Sequence, residues 1–234
     1  MSENRVMLIT GTSRGIGRYL AEYYVKKRVQ VIGCSRRPVA NELKNYQHFC
    51  LDVSDEPKVK QMFSEIRKTH NRLDVLINNA GAHAVNHSLL TPLKTVQDVF
   101  NTNMIATFLF CREASKLMRK NSYGRIVNIS TIAVPLCSVG TSIYSASKAA
   151  MEQFSKVLAR EVGSDGITVN TLGLSIVDHS GMVENLSEEA ISEALGHTVF
   201  KLRLGFGDIT HAIDFLISEK SKAVTKQTLY LGGP

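Results

Sequence analysis

Short apolar runs rich in β-branched residues alternate along this chain with longer amphipathic stretches. The runs are Arg5-Val6-Met7-Leu8-Ile9, Val29-Gln30-Val31-Ile32-Gly33, Leu73-Asp74-Val75-Leu76-Ile77, Arg125-Ile126-Val127-Asn128-Ile129 and Ile167-Thr168-Val169-Asn170. Runs of this kind predict buried strands, and the amphipathic stretches at 18–27 and near 57–70, 95–119 and 143–163 predict the helices between them. Strand and helix in repeated alternation mark parallel strands joined by crossover helices. The expected fold is therefore α/β, a doubly wound parallel sheet with helices on both faces, closed at its far edge by a late strand at 227–231. No linker, low-complexity stretch or repeat beyond the βα period divides residues 1–234, so a single domain is expected. The least regular segment is 174–205, with Ser180-Gly181, Glu188-Glu189 and a mixed run to Leu204-Gly205.

Bulk properties narrow the setting. A chain of 234 residues is long enough to bury a core without staples or metal. Cys34, Cys50, Cys111 and Cys137 lack Cys-x-x-Cys or metal-ligand spacing and read as reduced thiols, so a cytoplasmic location and no metal are expected. No apolar run reaches the roughly 20 residues of a membrane helix, and the first strand starts too early for a cleaved signal peptide. Lys and Arg total 28 against 21 Asp and Glu, a net charge of +7, but the basic residues are dispersed and not interleaved with aromatic platforms. That argues against nucleic acid and for a solvated face with a site for an anionic cofactor.

Three motifs carry chemistry. The first strand runs into Thr10-Gly11-Thr12-Ser13-Arg14-Gly15-Ile16-Gly17 and then a helix, the order a dinucleotide pyrophosphate requires. Gly11 permits the tight turn, Gly15 lets the backbone approach phosphate, and Gly17 allows close helix packing. Asn78-Asn79-Ala80-Gly81 directly follows the strand at 73–77. Tyr144 and Lys148 lie four apart on a helix and share a face, so an ammonium beside the phenol is expected to lower the Tyr144 pKa and make it a proton donor and acceptor.

Taken together and in this order, the glycine turn, Asn-Asn-Ala-Gly and Tyr-x-x-x-Lys resemble the short-chain dehydrogenases/reductases over nearly the whole chain. The resemblance implies a Rossmann fold, with 174–205 as a helical flap over the substrate. It implies hydride transfer between a nicotinamide and a carbonyl or alcohol: a 3-oxoacyl thioester, a sugar derivative or a small ketone. Tyr144 would exchange the proton, Lys148 bind the ribose, and Asn103 interrupt its helix and hold a water leading to the lysine. The family's serine stands thirteen positions before its tyrosine, which here is Thr131, with Ser130 held in reserve. Along the cofactor, the resemblance assigns Ser13, Arg14 and Ile16 beside the three glycines, and Asn79, Ala80 and Gly81 nearer the nicotinamide. Asp52 and Val53 would meet the adenine, with capping of the helix near Glu56 as a competing role for Asp52. The second strand ends Cys34-Ser35-Arg36-Arg37 without an acid, so Arg36 with Arg14 would clamp a 2′-phosphate and favour NADP(H) over NAD(H).

Departures from the family pattern are Leu174-Ser175 in place of Pro-Gly and Tyr230-Leu231-Gly232-Gly233 in place of Val-Asp-Gly-Gly. The first leaves only the Val177 backbone for the carboxamide. These departures keep open a non-catalytic, dinucleotide-binding regulatory or scaffold role. His83, His87, His179 and His197 fall in segments that would border the substrate cleft, where they would either serve an anionic or polyhydroxylated substrate or, as loop histidines more often are, simply be solvated. A homotetramer or homodimer would form through the helix at 143–163, with Phe154, Val157 and Leu158 either at its interface or in the core.

Overall fold

In a computed structural model, residues 5–39, 43–178, 180–181 and 187–234 are described. Among them, seven parallel strands form one sheet: β1 Val6–Thr10, β2 Gln30–Ser35, β3 Tyr46–Cys50, β4 Val75–Asn78, β5 Gly124–Thr131, β6 Ile167–Leu174 and β7 Thr228–Tyr230, in the order β3-β2-β1-β4-β5-β6-β7. The order reverses between β1 and β4, and a crevice at such a switch point is where open α/β sheets bind ligands. Residues of alternate parity on each strand feed two apolar layers, as a sheet covered on both faces demands. Leu8, Ile32, Leu76 and Ile126 pack under α2 (Glu56–His70), α4 (Ala106–Met118) and α6 (Ser142–Glu161). On the other face Met7, Ile9, Val31 and Val127 pack under α1 (Gly15–Lys26) and α8 (Phe206–Ile217). The doubly wound architecture expected from the alternation is the one observed.

Two elements escape the pattern. β3 is a half-buried edge strand, Tyr-Gln-His-Phe-Cys, too polar to read as a buried run, and α8 is a short, densely apolar helix within a region that gave no period. The stretch near 95–119 is not one helix. It divides into α3 (Leu93–Phe100), a π-helical turn Asn101–Ile105 and α4, and the wide turn carries the fully buried Asn103. A short helix, α5 (Ala133–Leu136), follows β5, and α7 (Glu188–Gly196) lies in the irregular segment. There Val177 pairs with Leu204, and Arg203 is bonded to Asp178 and Glu188. Leu158 belongs to the core at 7% exposure, whereas Val157 is exposed.

Candidate active site

The glycine turn is built by close contacts from two strands. Gly11 has φ +76°, and a Cβ there would lie 3.0 Å from Ala80 Cα. A Cβ on Gly17 would come within 2.3 Å of Gly11 O and 2.5 Å of Asn79 Nδ2, so no larger residue enters without moving backbone. Asn79 clamps the turn from β4: its Nδ2 donates to Thr10 O at 2.9 Å, and the Asn79 and Ala80 amides donate to Thr10 Oγ1 at 3.0 and 2.9 Å. Gly15, at φ +55°, opens the other way, with only Gly181 N, among the described residues, within reach of its Cβ position at 3.5 Å. α1 starts with no side-chain cap and no acid in its first turn. Its leading amides, beside half-buried Ser13 and Ile16, are left for an anion. The exposed Arg14 guanidinium reaches Gly181, the atoms lying 3.5 Å from that residue's Cβ position.

At the end of β2 the backbone carrying Arg36 and Arg37 is held by side chains. Ser35 Oγ donates to Arg37 O at 2.7 Å, and Cys50 Sγ donates to Arg36 O at 3.1 Å. Asp52 accepts from Ser54 N and Oγ at 2.9 and 2.7 Å. Burial alone would raise its pKa; those two bonds with Arg36 and Lys58 outweigh it and hold the carboxyl low. The cap of α2 is Asp55, which accepts from Lys58 N, so Asp52 is not the helix cap. Val53 is buried in the layer beneath α2.

Tyr144 and Lys148 are one turn apart on α6 and are 5% and 4% exposed. Lys148 Nζ donates to Ile129 O at 2.7 Å, and burial brings its pKa down to about 8 against the opposing charge of Glu152. The Tyr144 phenol moves opposite to the sequence expectation. Burial pushes it up to about 12, with only a hydrogen bond with Thr131 acting downward. The ammonium is committed to the β5 carbonyl, so desolvation of the phenol dominates. Thr131 also accepts from Ala133 N at 3.2 Å. Ser130, on the opposite face of the strand, donates to Glu152 Oε1 at 2.5 Å and is turned away from Tyr144.

Asn103 joins the remaining pieces. Its Oδ1 accepts from Ala82 N at 2.8 Å, and its Nδ2 donates to Ala82 O and Ser147 Oγ, both at 2.9 Å. A Cβ on Gly81 would lie 3.4 Å from Asn103 Oδ1 and 3.6 Å from Lys148 Nζ, which puts that loop, the π turn and the lysine at one point. The Val177–Leu204 bridge uses Leu204 N to Ile176 O and Asp178 N to Leu204 O, leaving the Val177 amide outside those bonds. Of the four histidines, His83 packs edge-on against Tyr144 with ring centroids 4.8 Å apart. His87 and His197 are exposed, and His179 lies outside the described residues.

Sequence reasoning missed two polar clusters. Glu152 lies one turn beyond Lys148 and also accepts from Tyr230 Oη at 2.8 Å, while the Tyr230 ring fills the space a side chain would take at Gly173. Tyr46 and His48 share one face of β3 and meet Thr12 and Ser35. The i, i+2 spacing was the available signal in the second case; the first joins residues far apart in sequence.

Comparison with known proteins agrees with this geometry. A model of the short chain dehydrogenase family matches residues 5–191. The 3-oxoacyl-(acyl-carrier-protein) reductase of Salmonella typhimurium is 32% identical over 241 residues, covering 99% of this chain and 97% of its own. A putative gluconate dehydrogenase from Agrobacterium tumefaciens superposes with TM-score 0.91 at 25% identity, over 98% of this chain and 94% of that one. ElxO with NADP bound gives TM-score 0.88 at 27% identity, over 97% and 96%.

Proposed function

Since this chain belongs to the short-chain dehydrogenase family and is an oxidoreductase, we propose that it interconverts a carbonyl and a secondary alcohol using NADP(H), with Tyr144 moving the proton. The observation that carries this reading is the buried, neutral Tyr144 phenol bonded to Thr131 with Lys148 one turn away. A protonated phenol is the form carbonyl reduction needs.

The glycine turn suits the dinucleotide, because the α1 amides are uncapped and Gly15 leaves space over them. Gly11, Ser13, Arg14, Gly15, Ile16 and Gly17 would hold its pyrophosphate region; Ser35 and Arg36 the 2′-phosphate; Asp52 and Val53 the adenine. Asn79, Ala80 and Gly81 would line the path to Tyr144 and Lys148 at the second ribose, with the Val177 amide at the carboxamide. When bound, the cofactor supplies the hydride for reduction and takes it up in oxidation. Thr131 orients the substrate oxygen, Tyr144 gives it a proton, and Lys148 with Asn103 holds the route by which that proton is replaced.

Full-length similarity to a 3-oxoacyl reductase favours an acyl thioester as substrate, and exposed Val85, Leu89, Leu90 and Val139 precede Tyr144 as apolar surface for such a chain. Sugar ketones and small ketones are the competing classes. The test is NADPH and NADH oxidation over a panel of the three. Faster turnover with NADPH on 3-oxoacyl thioesters supports the reading; turnover confined to NADH or to sugars replaces it.

We also propose a dimer or tetramer formed by the α4 and α6 faces, where Val157 is exposed and Phe108 meets Phe154 edge-on at 5.9 Å. A monomeric mass in solution would contradict it. No helix among the described residues is long and apolar enough to cross a membrane, and a cytoplasmic location is proposed.

A further inference from the structure

His48 lies on β3 at the end of the cofactor cleft where Arg36 stands, and both its ring nitrogens have hydrogen-bond partners there. Nδ1 is 2.8 Å from Tyr46 Oη and 3.5 Å from Thr12 Oγ1, and these two hydroxyls lie 2.9 Å apart. Nε2 is 3.1 Å from Ser35 Oγ and 3.2 Å from Arg37 O, and Ser35 has already donated to that same carbonyl at 2.7 Å. A carbonyl only accepts, so Nε2 carries a proton toward Arg37 O, whereas the Tyr46–Thr12 pair can present either a proton or a lone pair to Nδ1. The ring is therefore satisfied in both states: neutral, with Nδ1 accepting from Tyr46 Oη, and as the imidazolium, with Nδ1–H donating to it. Passing from the first to the second turns the Tyr46 proton from Nδ1 toward Thr12 Oγ1. Thr12 belongs to the glycine turn, so the charge state of His48 reaches both ends of the adenosine site.

We propose that His48 is a positioning residue for the 2′-phosphate: in its doubly protonated form it fixes the Arg36-Arg37 turn and adds positive charge beneath it, strengthening selection of NADP(H) over NAD(H) as pH falls. This rests on the NADP(H) reading above. The groups that bear on its titration come from each element around it. Arg18 of α1 disfavours the imidazolium, as does burial, while Arg37 O favours it. Arg36 adds a further cation, Asp52 beyond β3 an anion bonded to Ser54, and Tyr46, Cys34 and Cys50 complete the neutral surroundings. Burial and Arg18 lower the His48 pKa in the free protein and favour the neutral ring; a bound phosphate pulls it back up. By linkage, the proton and the phosphate strengthen each other's binding by the same factor.

The test measures dissociation constants for NADPH and NADH from nicotinamide fluorescence between pH 5.5 and pH 8.5, in the wild-type protein and in His48→Gln, which keeps a donor but cannot charge. In the wild type the NADH/NADPH ratio should rise by about fivefold or more toward low pH. In His48→Gln it should stay flat or fall, because the 2′-phosphate itself gains a proton near a pKa of about 6. Equal pH dependence in the two proteins would overturn the proposal. Tyr46→Phe, which removes the Nδ1 acceptor while keeping the ring, should give a shallower slope than the wild type, and an unchanged slope would also overturn it. Equal affinity of the wild type for the two cofactors at every pH would instead remove the NADP(H) reading on which the proposal stands.

Discussion

Lys148 offers a quantitative check that needs no substrate. Its ammonium is 4% exposed, and burial lowers its pKa from 10.5 to about 8. At about 1.4 kcal/mol per pH unit, holding the charged form inside costs about 3 kcal/mol at neutral pH. The folded state binds fewer protons than the unfolded chain between pH 8 and 10.5, so stability should rise as pH climbs through that window. The cost is present in full below pH 8 and disappears above pH 10.5. Lys148→Met removes the titrating group and keeps the volume. Urea unfolding of both proteins at pH 7 and pH 10 should show the wild type gaining about 2.5 kcal/mol relative to the variant. A stability difference that is flat with pH, or that moves the other way, would refute the claim that burial governs this lysine.

The other expectations are simpler to check. Difference absorbance at 295 nm between wild type and Tyr144→Phe should show no phenolate from Tyr144 below pH 10, since burial places its pKa at about 12. Thr131→Ala should lower kcat by about 100-fold or more with little loss of stability, whereas Ser130→Ala should retain turnover and lose about 1–3 kcal/mol in urea unfolding, because Glu152 loses a buried donor. Gly17→Ala should cost about 1–3 kcal/mol or more, with a Cβ 2.3 Å from Gly11 O, while Gly163→Ala, with nothing among the described residues within 4 Å, should stay within about 0.5 kcal/mol.

Where the chain followed one simple rule, its fold was legible. The buried strands β1, β2 and β4 are nearly continuous apolar runs, and β5 and β6 are β-branched runs broken by buried polar residues such as Asn128 and Asn170, because both faces of the sheet are covered; that pattern survives reading in one dimension. β3 did not survive it, since an edge strand with Tyr46 and His48 turned toward the glycine turn carries polar residues where a buried strand carries apolar ones. The break at Asn101–Ile105 was expected from the resemblance, not from any period, because one extra residue in a helix leaves the amphipathic pattern almost intact. Among the site residues, motifs located Tyr144, Lys148, Thr131 and Asn103 in one place. They did not give the direction of the Tyr144 pKa, which depends on how deeply the phenol is buried rather than on the spacing of two residues. Glu152 was invisible for a related reason: its partners, Ser130 and Tyr230, lie 22 and 78 positions away along the chain. The departure at Tyr230 thus gains a structural role, as the donor that ties β7 to the helix of Tyr144.

The central claim is that Tyr144 moves the proton in hydride transfer to a carbonyl. Its most direct test is the rate of NADPH oxidation on a 3-oxoacyl thioester, with the NADPH dissociation constant, for wild type and Tyr144→Phe. Turnover in the wild type that falls by about 100-fold or more in the variant, with affinity for NADPH held within about threefold, is the predicted result. Turnover that survives the substitution would contradict the account, and a wild type that binds NADPH but turns over none of the carbonyl classes would point to the non-catalytic dinucleotide-binding role.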